Sequence, residues 1–398
     1  MPKVRLIKIL AALIIIEFLV VLIGLNYQFH KMGIPFGWDF IQHYSASVLA
    51  IQGQASSAYN FDKLSLVESS IAGFKVQLSP YYLLWNYPPS FLLVIMPLSL
   101  LPYKVALILW LLVLFSAYIL VLYRIAPNPL TLWLAIAFPA NFWNFLHCQN
   151  GFFFGTLLGA GLLLLYRKPL LSGILLGLVT CKPHLAFIIP LALIAGRQWK
   201  ALASMVIMVL LMFISSVMLF GINTWKAFLD NAQFVRLILE SGAAPGYKSP
   251  SIFATARMLS ASVNTAYLLQ AVSAIIAIGL VYYLWGRVRK PEISNPILIL
   301  GILLSTPYLL IHDLTLLAIP LAYFVWQNYD KNLKLHEIII LFLAWCLPGL
   351  SPVIALLTHV QIGPFILIAF MAIILRRALN SRLDEHVGRE SVANPAFS

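Results

Sequence analysis

The sequence predicts an all-α polytopic membrane protein: a single bundle of about 11–13 transmembrane helices, with a first outer loop whose helices lie on the membrane surface. Three observations carry this. Of the 398 residues, 62% are hydrophobic and only 10% charged, with mean hydropathy +0.93, whereas about a quarter of a soluble protein is charged. The apolar residues fall in runs suited to helices that cross or enter a bilayer core of ~30 Å. The basic residues sit in short clusters between those runs, as cytoplasmic loops do. That clustering argues against nucleic acid as the partner of a chain with formal net charge +13. It suits anionic membrane lipid or a lipid phosphate instead.

The elements follow in chain order. Lys3, Arg5 and Lys8 precede an apolar run from Ile9 to about Leu25 with no small-residue cleavage site after it. This reads as an uncleaved first span, about 6–26, with the N-terminus inside. Residues 27–102 form the first extracytoplasmic loop. Its stretch 27–87 is too polar to span and is expected to form amphipathic helices. The apolar stretch that follows is bounded by Pro88-Pro89 and Pro102. At 1.5 Å per residue it is too short to cross comfortably and is expected to be re-entrant.

Further spans are expected at about 104–123, 130–147, 152–166, 170–181, 184–196, 201–221, 264–286, 295–310, 314–329, 335–350 and 354–376. Residues 222–263 form a second large outer loop. Together, 1–380 make one transmembrane domain, and 381–398 a polar cytoplasmic tail, irregular from about Leu383. On this topology most of the 26 Lys and Arg residues fall inside, Arg124, Arg167, Arg197, Arg289, Lys331, Arg376 and Arg377 among them. Both termini are then cytoplasmic, and a bacterial plasma (inner) membrane is the expected location.

Four groups of polar residues, far apart in sequence, fall on the same outer surface: Asp39; His147, Gln149 and Asn150; Lys182 and His184; His312 and Asp313. Transfer of a sugar to a hydroxyl needs a group that accepts the hydroxyl's proton, and Asp39 suits that task as general base. It could instead cap the helix beginning Phe40-Ile41-Gln42-His43. Lys182 ends an apolar helix and precedes Pro183. It suits a point charge for a lipid-linked phosphate, joined by His312 and Arg257; the alternative is a side chain that snorkels to the surface.

Gln149 and Asn150 can hydrogen-bond sugar hydroxyls. His312 and Asp313 are neighbours, so on a helix they point about 100° apart and pair poorly with each other. No metal is expected, because this surface offers few carboxylates. Glu17, midway along the first span, is read as making an interhelical hydrogen bond. Trp38, Tyr81, Tyr82, Trp85 and Tyr87 read mainly as an interfacial belt. Cys148, Cys181 and Cys346 are scattered singly and read as apolar filler. Soluble-enzyme fingerprints, phosphate loops and dinucleotide motifs included, are absent.

These residues carry an ordered pattern. Asp39-Phe40 is followed by Tyr44, Ala50, Gly53 and Tyr59, then by Tyr87-Pro88-Pro89, Pro97-Leu98, Leu101-Pro102 and Trp110. Gln149-Asn150-Gly151, Gly173 to Gly177 with Lys182-Pro183, and Tyr308 to Asp313-Leu314 complete it. Over about residues 30–320 the chain resembles glycosyltransferase family 87, the mannosyltransferase-like GT-C membrane enzymes. One departure is that the family's usual Gly-Gln turn reads His147-Cys148-Gln149 here.

The resemblance implies inverting transfer from a polyprenyl-phosphate sugar, often mannose, without a nucleotide sugar, and fixes neither the sugar nor the acceptor; a hexose moved to a glycolipid or cell-envelope glycan, with no cofactor, is the expected reaction. The resemblance puts Asp39 at the catalytic carboxylate and Lys182 at the family's Lys-Pro position. Tyr44, Tyr87, Gln149, Asn150, His184 and Asp313 are taken as sugar or acceptor contacts. A transporter or flippase for a lipid-linked glycan is the alternative; the scarcity of charge within the spans disfavours it.

Overall fold

Proline decides where the apolar runs break. A computed structural model describes residues 2–76, 85–288, 290–328 and 333–393, and every regular element within them is helical. The first span is α1 (Pro2–Lys31). The segment between the first span and the next long helix holds α2 (Trp38–Ile51), α3 (Phe61–Ala72) and α4 (Pro89–Ile95), the last continued by a 3₁₀ turn, Met96–Leu100; α2 and α4 are largely buried rather than laid on a surface. Then come α5 (Tyr103–Ile125), α6 (Pro129–Ile136), α7 (Pro139–His147), α8 (Gly151–Leu164), α9 (Pro169–Leu178), α10 (Pro183–Ala186), α11 (Ile189–Ala195) and α12 (Trp199–Phe220). The second loop holds α13 (Ile222–Ser241) and α14 (Ile252–Met258). The chain closes with α15 (Val263–Arg287), α16 (Pro291–Ser305), α17 (Ala318–Gln327), α18 (Leu335–Thr358) and α19 (Gly363–Ala393). Proline sits in the first turn of α4, α6, α7, α9, α10, α11 and α16, where its missing N–H costs nothing.

Among the described residues five helices are long and apolar enough to cross a membrane: Arg5–Lys31, Tyr103–Ile125, Trp199–Phe220, Val263–Arg287 and Leu335–Thr358. Shorter apolar helices, Pro89–Leu100 among them, fill the bundle. Several expected spans are therefore divided. The run 130–147 breaks into α6 and α7 at Pro139, and 184–196 into α10 and α11 near Pro190. Conversely, α18 runs through Pro348 and Pro352, where a break between two spans was expected. Pro352 cannot donate to the Pro348 carbonyl four residues back. The indole of Trp143 on α7 donates to that carbonyl instead, at 2.7 Å, which is how a membrane helix keeps an internal proline. The last helix continues to Ala393, past the expected start of an irregular tail.

Close packing comes from small residues. A Cβ on Gly173 of α9 would lie 2.2 Å from the Ala201 carbonyl of α12, so the two helices touch backbone to backbone, as membrane helices commonly do. At one end of the bundle Arg377 grips buried Glu337 through Nε and Nη2, at 2.9 and 2.6 Å, and Arg376 adds a 3.0 Å bond, joining α18 to α19.

Two expectations are corrected here. Glu17 is exposed on α1 and has no hydrogen-bond partner among the described residues. The reason is that α1 is peripheral: only 6% of its apolar window is buried, and it touches the bundle through contacts such as Phe18 on Phe142. Trp85 and Tyr87 are not belt residues; both are buried, stacked among His43 and Phe91. Tyr81 and Tyr82 lie outside the described residues.

Glu68 of α3 is wholly buried, and neither carboxylate oxygen has a hydrogen-bond partner among the described residues. Burial pushes its carboxyl from 4.5 up to about 8. The folded loop thus holds a proton that the unfolded chain releases near 4.5, so this group's contribution to stability is present below that pH. It is lost as pH rises toward 8. Glu68→Gln should raise the apparent melting temperature by several degrees at pH 8 and leave it nearly unchanged at pH 5. Equal shifts at both values would show that the carboxyl is ionised in the fold.

Candidate active site

Four segments meet at one cavity of about 640 Å³. They are the first turn of α2, the turn between α7 and α8, the break between α9 and α10, and the 3₁₀ turn Ile311–Leu317 that follows α16. The loop after α13 closes the opposite wall. The volume lies within the range of small-ligand sites.

Asn144 fixes two of the segments to each other. Its side-chain amide donates to the His312 carbonyl at 3.1 Å and to Thr315 Oγ1 at 2.5 Å, while its oxygen accepts from the Gly151 N–H at 2.9 Å. A Cβ on Gly151 would collide with all three groups, the nearest 2.4 Å away, so only glycine fits. Cys148, between His147 and Gln149, adopts the left-handed backbone (φ 53°) that glycine favours. Room for its side chain comes from Gly37, where a Cβ would lie 3.0 Å from Cys148 Sγ.

Asp39 does not cap its helix. Gly37 occupies the N-cap, and the Asp39 carboxylate turns into the cavity. Its Oδ2 accepts from Gln149 Nε2 at 3.0 Å and lies 3.4 Å from His147 Nδ1. Burial acts to raise the carboxyl's pKa, but His147, with His312 and Lys248 beyond it, holds it below the ordinary 3.8. The carboxylate is therefore ionised at neutral pH with 14% of its side chain exposed.

Lys182 does not snorkel. It is 5% exposed, and its Nζ donates to Asp313 Oδ1 at 2.5 Å and to Asn150 Oδ1 at 3.4 Å. Asp313 also accepts from the Leu310 N–H at 3.1 Å, and His184 Nε2 stands 3.9 Å away. Burial alone would raise the Asp313 carboxyl, yet Lys182 and its histidine neighbours drive it far below the usual range. As the sequence suggests, Asp313 turns to a residue other than its neighbour for its hydrogen bond, although His312 Nε2 remains 3.8 Å away. Burial pushes His312 down to about 3, so its imidazole is neutral.

Between the two carboxylates lies a row of hydrogen bonds. Asn150 Nδ2 reaches the Tyr87 hydroxyl at 2.6 Å, the Tyr87 hydroxyl reaches Gln149 Oε1 at 3.4 Å, and Gln149 reaches Asp39. His43, one turn beyond Asp39, sets Nδ1 2.7 Å from the Asp39 carbonyl and Nε2 3.2 Å from Asn150 Nδ2. Burial lowers it to about 4, so a neutral ring donates at one nitrogen and accepts at the other.

Of the residues singled out from the sequence, Asp39, Tyr87, Gln149, Lys182, His184, Arg257, His312 and Asp313 line the cavity. Asn150 is wholly buried behind it. Tyr44 lies elsewhere: its hydroxyl donates to the Leu101 carbonyl at 2.6 Å. The guanidinium of Arg257 is engaged by the Ala261 and Glu240 carbonyls at 2.8 and 3.2 Å. Sequence reasoning assigned no role to His43 or Lys248 and read Trp38 as an interfacial aromatic, whereas Trp38 lines the cavity. Only the four-residue spacing of His43 from Asp39 hinted at a role. Trp38 packs at a tilt against His147, ring centroids 4.8 Å apart, and Lys248 Nζ sits 5.9 Å over the Trp38 ring. Asp39, His147 and His312 also place three potential ligand atoms within 4.8 Å of one another.

The model of glycosyltransferase family 87 matches residues 85–311, more than half of the chain. The protein belongs to this family. No curated protein and no solved structure matches it. The match spans Tyr87, the 147–151 turn and Lys182, and it ends one residue before His312. This family 87 member is a membrane glycosyltransferase, with a sugar donor, an acceptor and membrane lipid as the molecules it meets.

Proposed function

We propose that this transferase moves a hexose, mannose foremost, from a polyprenyl-phosphate carrier to a glycolipid or cell-envelope glycan on the outer face of the plasma membrane, with inversion. The observation that carries the reading is the division of labour between two carboxylates on one cavity wall. Asp39 is ionised, partly exposed and free of any lysine or arginine hydrogen bond among the described residues, whereas Asp313 is committed to Lys182.

In this reading the acceptor hydroxyl lies against Asp39. Its oxygen attacks the anomeric carbon from the side opposite the phosphate, and the proton passes to Asp39. The bond from that carbon to the phosphate oxygen breaks, its electron pair stays with the phosphate, and polyprenyl phosphate leaves. Lys182, with His312 and Arg257 on the same wall, faces the growing negative charge. Tyr87, Gln149 and His184 orient hydroxyl groups. Basic loops on the other face support a cytoplasmic position for both termini.

The test is transfer by purified protein from radiolabelled polyprenyl-phosphate mannose to a membrane lipid extract, with the product's anomeric configuration determined. Inverted mannosyl lipid is the expected product. Transfer from a nucleotide sugar with no polyprenyl carrier would overturn the donor class. Passage of a lipid-linked glycan across vesicles, with no new glycosidic bond, would favour a flippase.

A further inference from the structure

The structure assigns a divalent-metal site to Asp39, His147 and His312. Sequence reasoning expects no metal here, on the ground that carboxylates are few. The fold answers that objection by bringing two histidines from distant segments onto one carboxylate. Their ligand atoms lie within 4.8 Å of one another, and His147 Nδ1 is 3.4 Å from Asp39 Oδ2. Ligands at about 2.0–2.1 Å in a tetrahedron stand roughly 3.3 Å apart, so one edge already has its length and the others, none longer than 4.8 Å, close by at most about 1.5 Å.

Three further features suit a cation. Both imidazoles are buried, 5% and 4% exposed; His147 Nδ1 faces Asp39 Oδ2, its would-be fellow ligand, at 3.4 Å, and a nitrogen of each ring lies within reach of one ion. The groups that orient metal ligands are also present: the Gln149 amide holds the Asp39 carboxylate, and Asp313 Oδ1 lies 3.8 Å from His312 Nε2. Third, two of the cavity's cations are already engaged, Lys182 by Asp313 and Arg257 by two carbonyls. A cation held by Asp39 would stand on the attacking side, beside the acceptor hydroxyl, and favour loss of its proton.

Two imidazoles and one carboxylate, with a fourth position open to the cavity, form the donor set of a zinc-class ion. Asp39 would bind through Oδ2 and keep Oδ1 for the acceptor's proton. The inference deepens the proposed function, but its test reads the metal directly.

Full-length protein, purified in detergent with its affinity tag removed, is stripped with chelator and titrated with Zn²⁺, and with Co²⁺ for its visible absorption. One ion per chain is expected, with a tetrahedral Co²⁺ spectrum. His147→Ala and His312→Ala should each weaken binding by about a hundredfold or more. Melting curves of the stripped variants that match stripped wild type exclude misfolding as the cause. No saturable binding near one equivalent, or binding unchanged in both variants, overturns the site. Sugar transfer measured on the same samples separates the two ideas: transfer that survives full stripping sinks the metal's role and leaves Asp39 as base.

Discussion

Asp39→Asn yields a folded protein whose transfer rate is about 10²- to 10⁴-fold below wild type, the usual contribution of a positioned general base. The substitution keeps the shape and one oxygen for the Gln149 amide, so the loss is chemical rather than structural. The amide cannot take the acceptor's proton at any accessible pH. The native carboxyl is held below 3.8, so the wild-type rate should stay level down to that region and fall only beneath it as Asp39 is protonated. Single-turnover transfer, measured for both proteins across pH, checks both claims. A wild-type rate in the asparagine variant would remove Asp39 from the reaction.

The second large effect belongs to the buried ion pair. Lys182→Met leaves the Asp313 carboxylate, 2% exposed, with no cation in hydrogen-bond contact. Breaking such a pair costs about 3–5 kcal/mol. The protein should melt well below wild type and transfer no sugar. Adding Asp313→Asn removes the stranded charge while keeping an oxygen for the Leu310 N–H. The double variant should recover most of the lost stability and none of the activity. Melting curves and transfer assays on the three variants decide it. A single variant as stable as wild type contradicts the buried pair, and a double variant that transfers sugar removes Lys182 from donor recognition.

How much of this was written in the sequence depends on the kind of contact. The all-helical membrane class follows from composition, whereas α2, expected to lie at the membrane surface, is buried along most of its length, because its apolar residues pack into the bundle core. Asp39 and Lys182 stood out because a charge beside long apolar runs is costly unless it has a task. Their partners did not stand out. Lys182 finds Asp313 131 residues away and Asp39 finds Gln149 110 residues away, and no local pattern encodes such pairings. Trp85 and Tyr87 looked interfacial because aromatic residues near a span end usually are, but here α4 turns inward and buries them. The prolines of α18 misled for a related reason: whether a proline breaks a membrane helix depends on a donor such as Trp143 from another helix. Glu17 erred the other way, since its interhelical bond needs a neighbour that peripheral α1 does not provide.

The row of hydrogen bonds between the two carboxylates has a polarity. Lys182 donates to Asn150, Asn150 to Tyr87, Tyr87 to Gln149 and Gln149 to Asp39, so every bond points the same way, from ammonium to carboxylate. Aligned dipoles in a desolvated row strengthen one another. On the proposed reading, the negative charge on Asp39 draws on Lys182 through this row, and proton uptake by Asp39 would weaken that pull as the departing phosphate gains a charge. Lys182 stays bonded to Asp313 throughout, so the row would adjust how the ammonium shares its charge rather than set it free.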